Sequence, residues 1–228
     1  MNLIKEYLPN VYQNWTGEYG FEGAITQTLY MTLVSAIVAG ILGLAVGLLL
    51  IVTAENGIAP NKFVYSLTDK IVNILRSIPF IILLAVIGPV TKFLVGTTIG
   101  PTGALVPLIV GTFPFFARQV QNALVQVDPG VIEASQAMGE SNWGIVRFVY
   151  LKEGLPDLIR ASVVTVISLL GLTAMAGAVG AGGLGNLAIS LGYQRFQNDI
   201  TIVATLIILA MVLLVQYFGD YLVEKTTH

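Results

Sequence analysis

Five uncharged stretches separated by short polar ones run along the chain, and this pattern predicts helices that cross a membrane. Four of them reach about 20 residues or more, the length that an α-helix needs to span the hydrocarbon core of a bilayer. The second reaches that length only by extending back through residues 71–75 past Arg76. The stretches are residues 24–54, 77–91, 93–117, 161–194 and 200–219. We therefore predict an all-α membrane protein with five transmembrane helices, of which the second is the least regular.

The composition narrows the class of protein further. Of the 228 residues, 55% are hydrophobic and 11% are charged, and the mean hydropathy is +0.82. Soluble domains carry about 25% charged residues, so this chain cannot present an ordinary solvated surface. The sequence contains no cysteine, which excludes disulfides, thiolate metal sites and a cysteine nucleophile.

The first 23 residues precede the apolar stretches and have their own pattern. An interfacial helix would place six apolar or aromatic side chains on one face and lie along the membrane surface. A disordered tail is the alternative, and the sequence does not choose between them. The six residues are Leu3, Ile4, Tyr7, Leu8, Val11 and Tyr12.

Basic residues are divided unevenly between the two sides of a five-helix topology. Because cytoplasmic loops are enriched in Lys and Arg, the richer set of connections is predicted to be cytoplasmic. The N-terminus then lies outside and the C-terminus inside. The richer set holds Lys62, Lys70, Arg76, Arg118, Arg147, Lys152, Arg160 and Lys225, and the poorer set holds Lys5, Lys92 and Arg195.

A polar element between Asp128 and Pro156 is predicted to form two helices joined at a glycine. Asp128 is a good N-cap residue, and Pro129 suits the first helical position. Gly139 can end the first helix by adopting a left-handed conformation. Ser141 can then cap the second helix, and Pro156 can begin the fourth membrane helix. In a membrane protein without catalytic groups, such an element is predicted to contact another protein.

Candidate chemistry is sparse in this sequence. Ion-coupled carriers usually place Asp, Glu, His or Lys in the middle of a span, and no apolar stretch here contains one. A membrane-embedded enzyme would need a cluster of acid, base and nucleophile, which is also missing.

Residues 180–185 match G-x-G-x-x-G, but an apolar run precedes them and not a strand. We interpret them as tight turns ending the fourth helix, with a lining for the pore mouth as a second interpretation. No Walker A sequence occurs, so neither ATP hydrolysis nor a cofactor is expected in this chain.

The polar element resembles the Glu-Ala-Ala loop of permease subunits in ATP-driven importers. That pattern is Glu-Ala-Ala, three residues, Gly, nine residues and Ile-x-Leu-Pro. Glu133, Ala134 and Gly139 match it in identity and spacing, whereas Ser135 replaces the second Ala and Lys152 replaces the Pro. The resemblance implies that residues 128–155 form a coupling segment that docks on an ATPase. The residues implied in docking are Glu133, Ala134, Ala137, Met138, Gly139, Glu140 and Ser141.

Three other stretches are similar to methionine-type permeases of ATP-binding-cassette (ABC) importers. Residues 73–84 resemble their second span, residues 175–185 their fourth-span exit, and residues 216–220 their C-terminal end. The similarity implies the type I ABC importer permease fold. The implied organisation is an outer interfacial segment at 1–23, a permease domain at 24–224 and a cytoplasmic tail at 225–228.

The resemblance also implies a function and a set of partners. The chain would form the pathway for uptake of D- or L-methionine across a bacterial inner or plasma membrane. Its partners would be a second copy of itself, membrane lipid, two ATPase subunits that bind ATP and Mg, and an extracytoplasmic methionine-binding protein or lipoprotein. No nucleic-acid partner is expected. A permease for an osmolyte, a phosphonate or a polar amino acid is the alternative within the class, and an ion-coupled secondary transporter is the alternative outside it.

Candidate pathway residues lie in the second and fourth spans. Pro79 removes one helix hydrogen bond and is expected to kink the second span beside Ile78. Arg76 either anchors the cytoplasmic end of that span or has a functional role, pairing across the permease or steadying the neck of the pathway. Met175 has a flexible thioether flanked by small residues, and it either gates the pathway or packs against lipid or core.

Overall fold

A computed structural model describes residues 7–17 and 20–226, and all regular structure within them is helical. The all-α fold is therefore confirmed. Three π-helical turns, Val146–Tyr150, Gly177–Ala181 and Leu187–Tyr193, occur between α-helices. The α-helices of the described residues are α1 Pro9–Gln13, α2 Phe21–Thr53, α3 Lys62–Ser77, α4 Phe80–Val86, α5 Gly88–Val95, α6 Gly100–Leu124, α7 Pro129–Ala137, α8 Asn142–Ile145, α9 Leu151–Glu153, α10 Leu155–Ala176, α11 Gly183–Asn186 and α12 Asn198–Thr226.

Four helices, α2, α6, α10 and α12, are long and apolar enough to cross a membrane. They contain 33, 25, 22 and 29 residues, and they coincide with four of the five predicted spans. Helix α6 begins at Gly100, seven residues later than the apolar stretch itself, because Gly96 ends α5 in a left-handed conformation with φ of 79°.

The second predicted span is not a single helix, and the expectation of one kinked helix is corrected here. Helix α3 ends at Ser77, Ile78 is extended with φ of −80° and ψ of 121°, and α4 begins at Phe80. Pro79 explains the break, because proline has no N–H to donate and disfavours the helical conformation of the residue before it. The apolar stretch therefore forms the two short helices α4 and α5.

Helix α3 is amphipathic, which the search for uncharged stretches did not show. Asn61 begins it by accepting a hydrogen bond from the Val64 N–H at 3.1 Å. Its apolar residues recur at helical spacing, so one face is apolar and the opposite face is polar. The exposed apolar face carries Phe63, Leu67, Ile71 and Ile74, and the polar face carries Ser66, Asp69, Lys70 and Asn73.

The chain divides into two compact units. The first unit comprises Met1–Ile37, Pro79–Ile109 and Val166–Val215. One of its two apolar clusters surrounds Phe21, Leu184 and Ile200, and the other surrounds Met31, Leu108 and Leu169.

The second unit comprises Val38–Ile78, Val110–Thr165 and Gln216–His228. Its core includes Val120, Leu124, Ile145 and Tyr150. Gly47 lets α2 approach α6 closely, because a Cβ there would lie 2.6 Å from the Cβ of Val120. Gly47 therefore serves packing, as small residues do between membrane helices.

The N-terminal prediction is tested only in part. Within the first unit, α1 is helical and Val11 is buried, whereas Tyr7 and Tyr12 are exposed. Leu3 and Ile4 lie outside the described residues, as do Lys5 and residues 227–228 of the predicted tail. A position of this segment in the membrane interface stays a prediction.

Candidate functional site

The coupling segment begins with a capped helix in the second unit. The Asp128 carboxylate accepts a hydrogen bond from the Gly130 N–H at 2.7 Å, and Pro129 occupies the first turn. These contacts satisfy the start of α7 without help from other elements. The predicted N-cap is confirmed.

Gly139 ends α7 in the conformation that the sequence predicted. Its φ is 80°, and its N–H donates to the Gln136 carbonyl at 3.0 Å. The next N–H, of Glu140, donates to the Ser135 carbonyl at 3.2 Å. Together the two bonds form a Schellman motif, which requires a residue with left-handed φ at this position. A Cβ at Gly139 would meet no atom within 4 Å, so the positive φ, and not a packing contact, favours glycine here.

Ser141 starts the next helix immediately afterwards. Its hydroxyl accepts a hydrogen bond from the Gly144 N–H at 3.1 Å, and the Glu140 carboxylate accepts one from the Ser141 N–H at 3.1 Å. The chain then continues through α8 and the π-helical turn, where Ile145 and Tyr150 are buried in the core of the second unit. The second half of the segment is thus fixed to the unit by apolar packing.

The residues implied in docking share one property, which is exposure. All seven, from Glu133 to Ser141, are exposed, and Met138 is 81% exposed. Ser135 is the buried residue of α7, so the position that departs from the family pattern faces inward and needs a small side chain. Lys152, the other departure, is exposed in the helical turn α9, and α10 begins at Leu155, one residue before the predicted start at Pro156.

A groove of about 1240 Å³ lies beside the coupling segment within the second unit. Glu133 and Gln136 line it from α7, and Lys62 and Lys70 line it from α3. Burial raises the pKa of the Tyr150 phenol at its wall, so this hydroxyl remains protonated at neutral pH. The groove combines charged, amide and apolar walls, and sequence periodicity gave no sign of it.

A polar network ties α3 to α6 along this groove. The Arg118 guanidinium lies 2.5 Å from the Asp69 carboxylate and donates to the Asn73 side-chain oxygen at 3.0 Å. It also donates to the Gln121 side-chain oxygen at 2.6 Å. The basic-residue pattern predicts a cytoplasmic position for Arg118 but not these partners. The four-residue spacing of Asp69 and Asn73, which places them on one helix face, was the available signal.

The predicted pathway residues are divided between the units. In the second unit, Arg76 is exposed and forms no ion pair with any described residue, and Ile78 is half-buried. In the first unit, Pro79 and Met175 are exposed. The structure shows that each pair has accessible side chains, and a pathway role for the four stays a prediction.

A second glycine-dependent element lies in the first unit, where the fourth membrane helix breaks. After α10 the backbone leaves helical geometry at Val179 and Gly180, and the short helix α11 begins at Gly183. The expected tight turns are confirmed, although the helix stops well before the end of the apolar stretch. The break follows a helix and not a strand, which is inconsistent with a dinucleotide fingerprint.

Two side chains of α2 satisfy the backbone at this break. The Gln27 side-chain oxygen accepts a hydrogen bond from the Gly183 N–H at 2.8 Å, and the Thr28 hydroxyl accepts one from the Leu184 N–H at 2.9 Å. Thr28 is buried, so water cannot accept a hydrogen bond from the Leu184 N–H there, and the Thr28 hydroxyl accepts it instead. Sequence reasoning missed both residues. Gln27 in an otherwise apolar stretch was a signal, but it did not identify the partner.

Comparison with protein families gives a match over most of the chain. The family model described as "Binding-protein-dependent transport system inner membrane component" matches residues 39–228. The probable D-methionine transport system permease protein MetI of Pasteurella multocida is 46% identical over 202 residues, which cover 89% of this chain and 93% of the relative. The methionine import system permease protein MetP of Bacillus subtilis is 46% identical over 220 residues, covering 96% of both chains.

Solved structures share the fold. An inward-facing conformation of the MetNI methionine ABC transporter superimposes with a TM-score of 0.89 at 45% identity, covering 91% of this chain and 96% of that chain. An amino acid ABC transporter superimposes with a TM-score of 0.73 at 18% identity, covering 90% of this chain and 93% of that chain. At that lower identity the likeness concerns the fold alone.

Proposed function

Because the chain belongs to the family of binding-protein-dependent transport system inner membrane components, we propose that it is the permease subunit of an ABC importer for methionine. The assignment of methionine as the solute rests on one observation. The chain is about 45% identical, along nearly its whole length, to permeases named for methionine. Permeases for an osmolyte, a phosphonate or a polar amino acid are the alternatives. An ion-coupled carrier is disfavoured, because members of this family belong to transport systems that depend on a binding protein and not to ion-coupled carriers.

The chain works as a non-catalytic subunit in this proposal. Two copies enclose the pathway in a bacterial cell membrane, with the N-terminus outside and the C-terminus in the cytoplasm. Partner ATPases bind ATP and Mg, and an extracytoplasmic methionine-binding protein or lipoprotein delivers the solute. Residues 1–23 lie at the outer interface, residues 24–224 form the permease domain, and residues 225–228 form the cytoplasmic tail.

The coupling segment transmits movement between the ATPases and the membrane helices. Its helix α7 is capped by Asp128 at the N-terminus and by the turn at Gly139 at the C-terminus, so it keeps its conformation when force acts on it. The exposed docking residues around Met138 contact the ATPase, and the buried end at Tyr150 joins the second unit. A rigid element fixed at one end and docked at the other can couple two conformational states mechanically.

The pathway residues follow from the same proposal. Arg76, Ile78 and Pro79 surround the break between α3 and α4, and Met175 lies one residue before the end of α10. A break in a membrane helix exposes backbone groups and allows its two parts to move separately, which suits a gate. On that ground we propose a role in the substrate pathway or gate for each of these four residues.

Uptake by the reconstituted complex tests the function. Vesicles containing permease and ATPase should accumulate radiolabelled methionine when ATP is supplied inside and the methionine-binding protein is supplied outside. Glycine betaine and a phosphonate, added separately as labelled solutes, should stay outside. Accumulation of either one without methionine would overturn the solute assignment.

The isolated permease tests the division of labour. Purified free of ATPase, it should show no ATP hydrolysis above the rate of an empty-vesicle control. Hydrolysis that follows the permease through two different affinity tags would show that the chain itself is catalytic and contradict the proposal.

A further inference from the structure

Arg118 joins two helices of the second unit through a closed polar network. One guanidinium nitrogen contacts the Asp69 carboxylate at 2.5 Å and donates to the Asn73 side-chain oxygen at 3.0 Å, and the other donates to the Gln121 side-chain oxygen at 2.6 Å. The Asn73 side-chain nitrogen in turn donates to the second carboxylate oxygen of Asp69 at 3.0 Å. We call these four residues the Arg118 network. Because each contact restricts the others, the network fixes the position of α3 relative to α6.

Apolar packing contributes little to the position of α3. Of the residues described in this helix, Val72 alone is buried, and the apolar face stays exposed at Phe63, Leu67, Ile71 and Ile74. A helix in a protein normally gains its stability from burying its apolar face against other elements. Since α3 does not do so within this chain, its position against α6 depends on the Arg118 network.

The α6 side of the network lies beside the core that holds the coupling segment. Gln121 is buried, and its neighbours Val120 and Leu124 on α6 belong to one apolar cluster with Ile145 and Tyr150 of the coupling segment. Protein interiors are packed closely enough to transmit displacement. A movement of the coupling segment therefore reaches α6 at the level of Arg118.

The α3 side of the network lies close to the break between α3 and α4. Ser77 is the last residue of α3, and its hydroxyl donates to the Asn73 carbonyl at 2.8 Å. Ile78 then leaves helical geometry, and Pro79 prevents the helix from continuing. The network therefore holds the last turns of α3 directly before the residues proposed for the pathway.

A role as an interfacial anchor describes Arg118 poorly. Basic residues that anchor the end of a membrane helix extend their charged groups into water or the headgroup region. The Arg118 side chain is only 20% exposed, and its guanidinium binds acceptors on two helices. Arg160 shows the difference, because it pairs with Asp157 on its own helix and its side chain is 55% exposed. The geometry of Arg118 is that of a link between helices.

We infer that Arg118 is a positioning residue that makes the end of α3 follow the coupling segment. The inference rests on the proposed function, in which the coupling segment receives movement from the ATPases. When the segment moves, the core of the second unit moves α6, and the Arg118 network moves α3 together with its end at Ile78. Without the network, the ATPases still dock and hydrolyse ATP, but less of the movement reaches α3.

The amount of methionine imported per ATP hydrolysed tests this role in proteoliposomes that hold the complex, with ATP inside and the binding protein outside. Arg118→Lys keeps the charge, but one ammonium group cannot replace the planar fork that binds Asp69 and Gln121 together. The ratio should fall about fivefold, while membrane abundance and co-purification of the ATPase stay unchanged. Arg160→Lys is the matched control and should keep the ratio, because that ion pair lies within one helix.

A double-variant cycle shows whether Arg118 and Asp69 act as one link. Asp69→Ala should lower the ratio as Arg118→Lys does, and the two changes together should lower it no further than the larger single loss. Asp69→Glu keeps a carboxylate and should retain most of the ratio. Losses that multiply in the double variant would mean that the two residues act separately, and would contradict the inference.

Asn73→Ala gives a milder change, because it leaves the ion pair in place, and it decides the matter if Arg118→Lys lowers membrane abundance. At unchanged abundance it should still lower the ratio. An unchanged ratio in both variants, or uptake and hydrolysis that fall in equal proportion, would assign the network to stability alone and overturn the inference while the unmodified complex imports normally. If the unmodified complex hydrolyses ATP without importing methionine, the proposed function itself has failed, and the inference fails with it.

Discussion

Two glycine-dependent segments of the same chain close their backbones in opposite ways. The coupling segment satisfies its helix ends with residues two to five positions away, such as Asp128 with Gly130 and Ser135 with Glu140. The broken helix after α10 is satisfied by Gln27 and Thr28, each 156 positions away from its partner. One segment therefore depends on local sequence and the other on the packed fold.

The glycines themselves show the same difference. Gly139 stands in open space and is required only by its positive φ. Gly177 and Gly185 lie against backbone, and a Cβ at Gly185 would come within 2.6 Å of the Ala174 Cα. Substitutions in the coupling segment should therefore disturb coupling while the fold persists, whereas substitutions at the break should disturb the fold itself.

The largest expected effect is that of Gly185→Ala. The added methyl group has backbone on one side and cannot be accommodated by a rotamer change, so we expect a loss of about 1–3 kcal/mol or more in stability. Membrane abundance and thermal stability of the purified permease should both fall. Gly171→Ala is the control, since a Cβ at Gly171 of α10 meets nothing within 4 Å. Equal stability of the two variants would contradict the claim that close backbone contacts require glycine at position 185.

A smaller loss is expected from Thr28→Val, which keeps the shape of the side chain. It leaves the Leu184 N–H without its acceptor in a buried site, at about 1–3 kcal/mol. Thr28→Ser retains the hydroxyl and should recover most of the thermal stability. If serine were no better than valine, the hydrogen bond across 156 residues would not be what holds the break.

The smallest expected effect on stability is that of Glu133→Ala. Glu133 is exposed on α7, so stability should change by no more than about 0.5 kcal/mol. Co-purification of the ATPase and uptake should still fall in part, because a polar docking contact is lost. Glu153→Ala, at an exposed site of α9 outside the docking residues, should leave both unchanged. Identical uptake in the two variants would show that Glu133 does not contribute to docking on the ATPase.

The sequence predicted the local features well for a physical reason. Apolar stretches long enough to cross a bilayer were recognisable by length, and four of them each contain a helix long and apolar enough to span it. The caps at Asp128 and Ser141 and the positive φ of Gly139 involve neighbours only, so residue type and order were sufficient.

The features that the sequence did not predict depend on distant contacts or on mixed periodicity. Helix α3 was hidden because Asp69 and Lys70 interrupt its apolar run, although its spacing is helical. Arg118 binds Asp69, which lies 49 positions away in the sequence. Short-range sequence patterns cannot predict a contact between residues so far apart. The positive φ of Phe196, 59°, is likewise not predictable from the sequence, because phenylalanine rarely adopts this conformation.

Uptake by Gly139 variants tests the central claim, that the coupling segment transmits movement from the ATPases to the membrane helices. Gly139→Val forces a β-branched residue into the left-handed region, which costs about 1–2 kcal/mol or more locally and little against the insertion of the membrane helices. Gly139→Asn is the matched control, because asparagine tolerates this conformation. At equal membrane abundance, we predict that the valine variant binds the ATPase weakly and loses ATP-driven methionine uptake, while the asparagine variant retains both. Full uptake by the valine variant would mean that the segment is an ordinary solvated loop and would contradict the account.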